Sequence, residues 1–211
     1  MPETKPKVLI ALLCGSERDR WINPGLVRAL LPLQRDPRFE VEVTFVHDCF
    51  PVSAARNAAV DSARGKFDWL LMVDNDMTLP EKPCTILDIL FNAGTNVDVL
   101  GLAAGVNQNG FMLNLVASRG ITEGMLLGGV HRVGSGVIAL RSSVWQKLPK
   151  GPWFKTTYAD GEIGNVSEGE DWYFCRIAEA AGLKLWSAKV CAGHLHTVDL
   201  TPLAIAQTKF S

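Results

Sequence analysis

The segment Trp69-Leu70-Leu71-Met72-Val73 is apolar at every position and runs straight into Asp74-Asn75-Asp76. A strand with water on one face alternates apolar and polar residues. One without that alternation needs cover on both faces, which is the situation of a central strand in a parallel or mixed sheet flanked by helices. The remaining chain meets that demand. Short apolar runs alternate with helical patterns, so the fold class is α/β, with a mainly parallel, mixed central sheet between helices.

The patterns predict strands at Lys7 to Leu13 and Val41 to Val46, the second alternating Val41, Val43 and Phe45 with Glu42 and Thr44. Asn23-Pro24 reads as an N-cap and first-turn proline opening a helix to about Leu33. A second helix follows Pro51-Val52-Ser53, with Ser53 as its cap and Gly65 as its stop. A third helix is predicted from about Lys82 to Phe91, and strands at Val97 to Ala103, Phe111 to Ala117 and Gly136 to Leu140. Lys150 to Gly169 holds four glycines and Pro152 and reads as a long loop of the kind that serves as a lid. A helix from Glu170 to about Ala181, stopped by Gly182, a strand from Leu183 to Ser187 and a short helix near Pro202 complete the expectation.

Composition narrows the function classes. With 211 residues and 47% hydrophobic content, the chain suits one globular domain. A net charge of -1 without a Lys or Arg run gives no bulk drive toward polyanions. No apolar stretch reaches the roughly 20 residues of a membrane span, and Met1 to Lys7 is too polar for a secretory signal. The cysteines Cys14, Cys49, Cys84, Cys175 and Cys191 are odd in number and form no C-x-x-C pair, which predicts reduced thiols. A cytoplasmic location is the simplest expectation.

Four groups could carry chemistry. Asp74 and Asp76, two residues apart at a strand end, are hard oxygen donors suited to Mg²⁺ or Mn²⁺, although turns after strands are commonly rich in Asp and Asn. Their place at a strand's carboxyl end is where open α/β sheets hold ligands. Arg56 and Asn57 lie in the first turns of the second helix, where free N–H groups and a guanidinium can hold phosphate, or where both can simply face solvent. Glu170-Asp171 opens a helix behind a Gly-rich loop. Ser167 to Glu170 matches a capping box, and a helix start should lower the pKa of Asp171, while a cleft-facing Asp171 could act as a base. His194 and His196 flank Leu195 and could supply imidazole to a metal; with Cys191 they also invite a zinc reading, for which a fourth ligand is missing. Trp153 and Trp172 offer flat faces for sugars or bases, whereas the other tryptophans, Met72 and Met77 read as packing.

In chain order these segments resemble a glycosyltransferase of the GT-A fold, closest in style to the inverting family 2. Ala55-Arg56-Asn57-Ala58-Ala59 is similar to that family's "aRN.a" helix, and Trp69 to Asp76 to its hydrophobic strand ending in D-x-D. Gly134-Ser135-Gly136-Val137-Ile138-Ala139-Leu140-Arg141 resembles the small-residue strand returning to the donor sugar. Glu168 to Leu185 resembles "ED…c.ra..aG.k", and Ala192-Gly193-His194 the "gH" that follows. The likeness spans roughly residues 7–196.

The resemblance implies a single nucleotide-diphospho-sugar transferase domain over residues 1–211, with a nucleotide and metal half (about 7–110) and an acceptor half (about 111–211). It implies a nucleotide-sugar donor, UDP- or GDP-linked, and a divalent metal, Mn²⁺ or Mg²⁺, held by Asp74, Asp76 and His194. Arg56, Asn57, Asn75 and the Cys14-Gly15 loop would approach the nucleotide. Asp48 would stand in for the usual acidic residue after the second strand. Ser135, Gly136, Glu170 and Trp172 would meet the donor sugar or acceptor, and Asp171 would be the base. The acceptor is a hydroxyl compound of open class: a glycan, a protein, a small molecule or a hydroxylated base of viral DNA, the one way nucleic acid would enter. The Q-x-x-R-W motif of processive synthases is absent, so transfer should be non-processive.

Three other readings stand beside it. Asp74 to Thr78 also fits the D-x-D-x-T signature of haloacid-dehalogenase-type phosphatases, with Asp74 as nucleophile and Asp76 as acid/base, though that motif belongs on a first strand. A nucleotidyltransferase should carry G-x-G-T-R after its first strand, which Leu13-Cys14-Gly15-Ser16-Glu17-Arg18 does not supply. A sugar-nucleotide-binding module without catalysis is the last.

Overall fold

The computed structural model describes residues 4–14, 22, 24–47, 49–79, 84–107, 111–113, 115–117, 122–123, 126–159 and 166–194. Side chains in 103–125 and from residue 189 onward lie outside the description, as do those of Cys84, Thr85 and Thr95. So do the expected Asn23 cap and the helix near Pro202.

The frame is one mixed sheet. Strands β1 (Lys7–Leu13), β2 (Glu40–Val46) and β3 (Trp69–Asp74) lie side by side and parallel. Of the short strands that follow, β4 (Met77–Thr78) comes first, then β5 (Val99–Asn107), β6 (Phe111–Leu113), β7 (Leu115–Ala117), β8 (Thr122–Glu123), β9 (Leu126–Leu127) and β10 (Val130–Val133). Next are β11 (Val137–Arg141), β12 (Thr157–Tyr158), β13 (Val166–Glu168) and β14 (Leu185–His194). The sheet order is β2-β1-β3-β11-β5-β14-β9-β8, with β6 on β5 and β4 on β14. β11 runs antiparallel to both β3 and β5, and β5 parallel to β14, so β11 opposes the shared direction of β1, β2, β3, β5 and β14, as do the short strands β4, β6 and β9.

Helices α1 (Pro24–Gln34) and α3 (Cys84–Asn92) cover one face, and α2 (Val52–Ala63), α4 (Ser142–Lys147) and α5 (Glu170–Ala180) the other. The pleat divides every central strand between the two cores. Trp69, Leu71 and Val73 join Leu26, Leu30 and Ile86 on the first face, while Leu70 and Met72 join Ala59, Phe174 and Ala178 on the second. All five apolar residues of β3 are buried, as a strand without polar alternation requires.

Several local expectations needed correction. Ser53 does not cap α2: the cap position is Pro51, without a side-chain bond, and Ser53 is buried inside the first turn. The capping box at α5 does not form either. Gly169 is the N-cap, the Ser167 hydroxyl pairs with Thr157 Oγ1 at 2.9 Å, and Glu168 forms a double-bonded pair with Arg176. The expected long loop contains an antiparallel ribbon, β12 against β13. Helix α4 and strands β4, β8, β9 and β10 are too short or too polar to announce themselves in the sequence. Among the described residues, no helix is long and apolar enough to cross a membrane.

Candidate active site

The end of β3 is built by its neighbours. Asp74 sits opposite Leu13 of β1, its N–H donates to Gly136 O at 2.9 Å, and the next N–H, of Asn75, donates to Leu13 O at 3.2 Å. The chain then turns through Asn75-Asp76 into β4, which pairs with the end of β14 so that Met77 faces His194 and Thr78 faces Gly193. The backbone of His194 therefore lies against Met77, the residue after Asp76, although 117 positions separate His194 from Met77 in the chain. For His194 the backbone alone is described; Gly15, Asp48 and His196 lie outside the described residues.

Arg56 is the hub. It is 2% exposed, so the solvated helix face is excluded. Its Nη2 donates to Asp74 Oδ2 at 3.0 Å, its Nη1 to Ser135 O at 2.9 Å, and its Nε lies 3.5 Å from Glu170 Oε1. One guanidinium thus ties the end of β3, the approach to β11 and the start of α5. Ser135 Oγ donates to Glu170 Oε1 at 3.3 Å, so Ser135 and Glu170, expected to meet sugar or acceptor, are bonded to each other beside Arg56. Gly136 is packed so closely on Met77 that an added Cβ would stand 2.9 Å from its sulfur.

Asn57 also has a different task from the expected nucleotide contact. Its Oδ1 accepts from the N–H groups of Trp153 (2.9 Å) and Phe154 (3.1 Å), and its Nδ2 donates to Ser53 O (2.7 Å) and Phe154 O (2.8 Å). Two donors and two acceptor sites exhaust the amide. The result pins Phe154, whose ring stacks on Phe174 at 4.6 Å and lies 6.0 Å beneath the Arg56 guanidinium. Sequence reasoning missed Phe154, and nothing in its local pattern marks it. Trp153 is core rather than a sugar platform: it is 2% exposed and donates Nε1–H to Pro149 O.

Electrostatics follow from this enclosure. Burial pushes the Asp74 carboxyl above its ordinary pKa; Arg56 draws it down, and Asp76 and Glu170 push it further up. Asp74 Oδ1 is buried and has no hydrogen-bond partner among the described residues. Asp171, expected to be lowered by the helix start, is raised instead, first by burial and then by the neighbouring Glu170 charge. Its Oδ1 accepts from the Trp172 N–H at 2.8 Å. Four carboxylates (Asp74, Asp76, Glu170 and Asp171) therefore share a neighbourhood with one buried guanidinium, which leaves an excess of negative charge.

Beside the pair opens a cleft of about 320 Å³. Asp74, Asn75 and Asp76 line it together with Leu13, Cys14, Cys49, Phe50, Pro51, Val52 and Ala55. Cys14 is fully buried, and burial raises its thiol pKa. Cys14, Cys49 and Cys175 are free thiols. The lining thus combines two carboxylates with apolar side chains and one aromatic ring. Among the described residues no three His, Cys, Asp or Glu side chains converge as a metal cage. The orphaned Asp74 Oδ1 and the adjacent Asp76 carboxylate are nonetheless the donor type a hard divalent ion takes, with remaining positions open to a third protein donor or to ligand oxygens.

No protein-family model matches the chain, and no curated protein does. Solved structures do match. A197 from STIV aligns over 90% of this chain and 86% of its own, with a TM-score of 0.61 and 17% identity. A mutant of Drosophila β1,4-galactosyltransferase 7, in complex with manganese, UDP-Gal and xylobiose, aligns over 90% and 71%, at 0.56 and 12%. CMP:2-keto-3-deoxy-manno-octonic acid synthetase, complexed with CTP, aligns over 98% of each chain, at 0.52 and 12%. The chain has the nucleotide-diphospho-sugar transferase (GT-A) fold. The phosphatase reading places its D-x-D-x-T motif on a first strand, whereas Asp74 ends the third strand of this fold.

Proposed function

We propose that this protein is a divalent-metal-dependent glycosyltransferase that moves a sugar from a nucleoside-diphosphate sugar to an acceptor hydroxyl. The observation that carries it is the Asp74–Asp76 pair in the wall of a cleft that Phe50 and Pro51 also line, with Asp171 held nearby through Arg56 and Glu170. A nucleoside diphosphate carries both an apolar base and charged phosphates, and this lining offers partners for both.

Asp74 and Asp76, joined by His194, would hold Mn²⁺ or Mg²⁺, which when bound supplies positive charge against the leaving diphosphate. The ion's ligands need not move, because Arg56 fixes Asp74 and β14 fixes the backbone beside Asp76. Asp171 takes the acceptor proton while the acceptor oxygen bonds to the anomeric carbon and the bond to the diphosphate breaks. Inversion follows from that one displacement. Its raised pKa makes Asp171 a stronger base than an exposed aspartate. The ribbon β12–β13, which leads into α5, would serve as the cover over the donor.

The test is transfer or hydrolysis of a panel of UDP- and GDP-sugars with Mn²⁺ or Mg²⁺, followed by mass spectrometry. Activity that vanishes in EDTA, returns with metal and is lost in Asp76→Ala supports the reading; turnover indifferent to both would sink it. A nucleotidyltransferase shares this fold, and pyrophosphate release from CTP or another triphosphate would establish that reading instead.

A further inference from the structure

We infer that a second cavity, between α2 and the segment after α4, binds a small organic molecule bearing one oxyanion group through Arg64 and Lys150. The cavity measures about 430 Å³ and shares no lining residue with the cleft beside Asp74. One wall is a face of α2 and its cap. Asn57, Val60, Asp61 and Arg64 follow the i, i+3, i+4, i+7 spacing that aligns side chains along a helix. The facing wall is the stretch from Lys150 to Trp153. Asn57 ties the two together, because its Oδ1 accepts the Trp153 N–H at 2.9 Å. The walls are thus fixed to each other, and ligand pockets are largely formed in advance in this way. Arg64 stands just before β3 begins and Asp74 where β3 ends, so this cavity is separate from the proposed diphosphate site.

Arg64 is the group that calls for a ligand. Its guanidinium carbon lies 4.8 Å from the ring centroid of the buried Trp153. Its Nε is buried and has no hydrogen-bond partner among the described residues. Asp61 lies three positions earlier on the same face, yet among the described residues no carboxylate pairs with Arg64 or with Lys150. Buried N–H groups in folded proteins nearly always have an acceptor. An oxyanion in this cavity supplies one, and the planar guanidinium fork matches the geometry of a carboxylate or phosphate group.

The charges of the lining set the class of ligand. Arg64 and Lys150 are cations and Asp61 is an anion, which leaves one positive charge in excess. That suits one oxyanion group. A polyphosphate or a nucleic-acid backbone would bring further negative charges against Asp61. The rest of the lining fits a carbon body: Val60 and Pro152 offer apolar contact, and the Asp61 carboxylate can accept from a ligand hydroxyl.

The experiment uses the full chain in EDTA, so that no metal can hold an anion at Asp74 and Asp76. Phenyl phosphate, benzoate and tripolyphosphate are titrated at constant ionic strength, by calorimetry and by heteronuclear NMR with the Trp153 indole N–H as local reporter. We expect saturable binding of phenyl phosphate or benzoate, and the tighter of the two tells a phosphate ester from a carboxylate. Arg64→Gln should weaken its Kd about tenfold and Lys150→Gln about threefold, as befits the loss of a charge-assisted contact. Lys150 is exposed, so its variant keeps the fold even where Arg64→Gln does not. Asp76→Ala should leave the affinity unchanged. No saturable shift at the Trp153 indole with either ligand, equal affinity in wild type and Lys150→Gln, or tighter binding of tripolyphosphate overturns the inference. None of these outcomes bears on the transferase reading, which concerns the other cleft.

Discussion

At the scale of single residues, the site is organised by groups that do not touch substrate. Asn57→Ala would strand the N–H groups of Trp153 and Phe154 and the carbonyls of Ser53 and Phe154. Unmet buried polar groups cost about 1–3 kcal/mol each, so a loss of about 2 kcal/mol or more is expected in urea unfolding. Activity should fall with it, because Phe154 supports Arg56. Asp171 gives a pH prediction. Its native carboxyl holds its proton more tightly than the unfolded chain does, so its contribution to stability is present at acid pH and lost as pH rises through the raised pKa. A base works only when ionised, so the acid limb of kcat/KM should lie above the ordinary aspartate value of about 3.9 and disappear in Asp171→Asn. The carboxylate pair was legible in the sequence because a strand apolar throughout ends on it. The work of Asn57 was not, since its partners lie 96 and 97 positions away. The pKa of Asp171 was misjudged because the helix-start argument omits burial and the Glu170 charge.

At the scale of elements, close approach between strands sets what can change. An added Cβ at Gly101 would stand 2.6 Å from Val133 Cβ, a β-branched side chain with little freedom to yield. Gly101→Ala should therefore cost about 1–3 kcal/mol, the range for overpacking, and thermal unfolding should show it. Gly136→Ala meets the thioether of Met77 instead, which can bend away, so its stability loss should be smaller. Its effect should fall on metal affinity, because Met77 adjoins Asp76; Mn²⁺ titration of both variants would separate the two outcomes. The bounds of β1, α1, β3 and α5 were readable to within about a residue because each carries a long periodic or continuous apolar run. Caps were read less well. Ser53 and Ser167 have the right residue type, yet one is buried in the helix and the other is bonded across the ribbon to Thr157. Local preference yields there to tertiary contacts.

At the scale of the molecule, the alternation of strands and helices announced the sheet and its two covering layers, whereas the antiparallel insertion of β11 could not be read from any one segment. Direction in a sheet is set by which edge a returning strand meets, a property of the whole chain. One expectation belongs here: donor analogue and metal together should raise the melting temperature more than either alone, since both draw on Asp74, Asp76 and the cleft. Equal shifts with and without the ion would break that link.

The pairing of β14 with β5, β9 and β4 has a bearing on how the protein comes into being. The first three strands can meet early, being close in sequence. The backbone that flanks Asp76 is supplied from the other end of the chain, and such distant pairing is slow to nucleate. On a ribosome the nascent domain would carry its two aspartates for most of synthesis without the strand that completes their surroundings. The surroundings of Asp76 are thus completed only once β14 has been made.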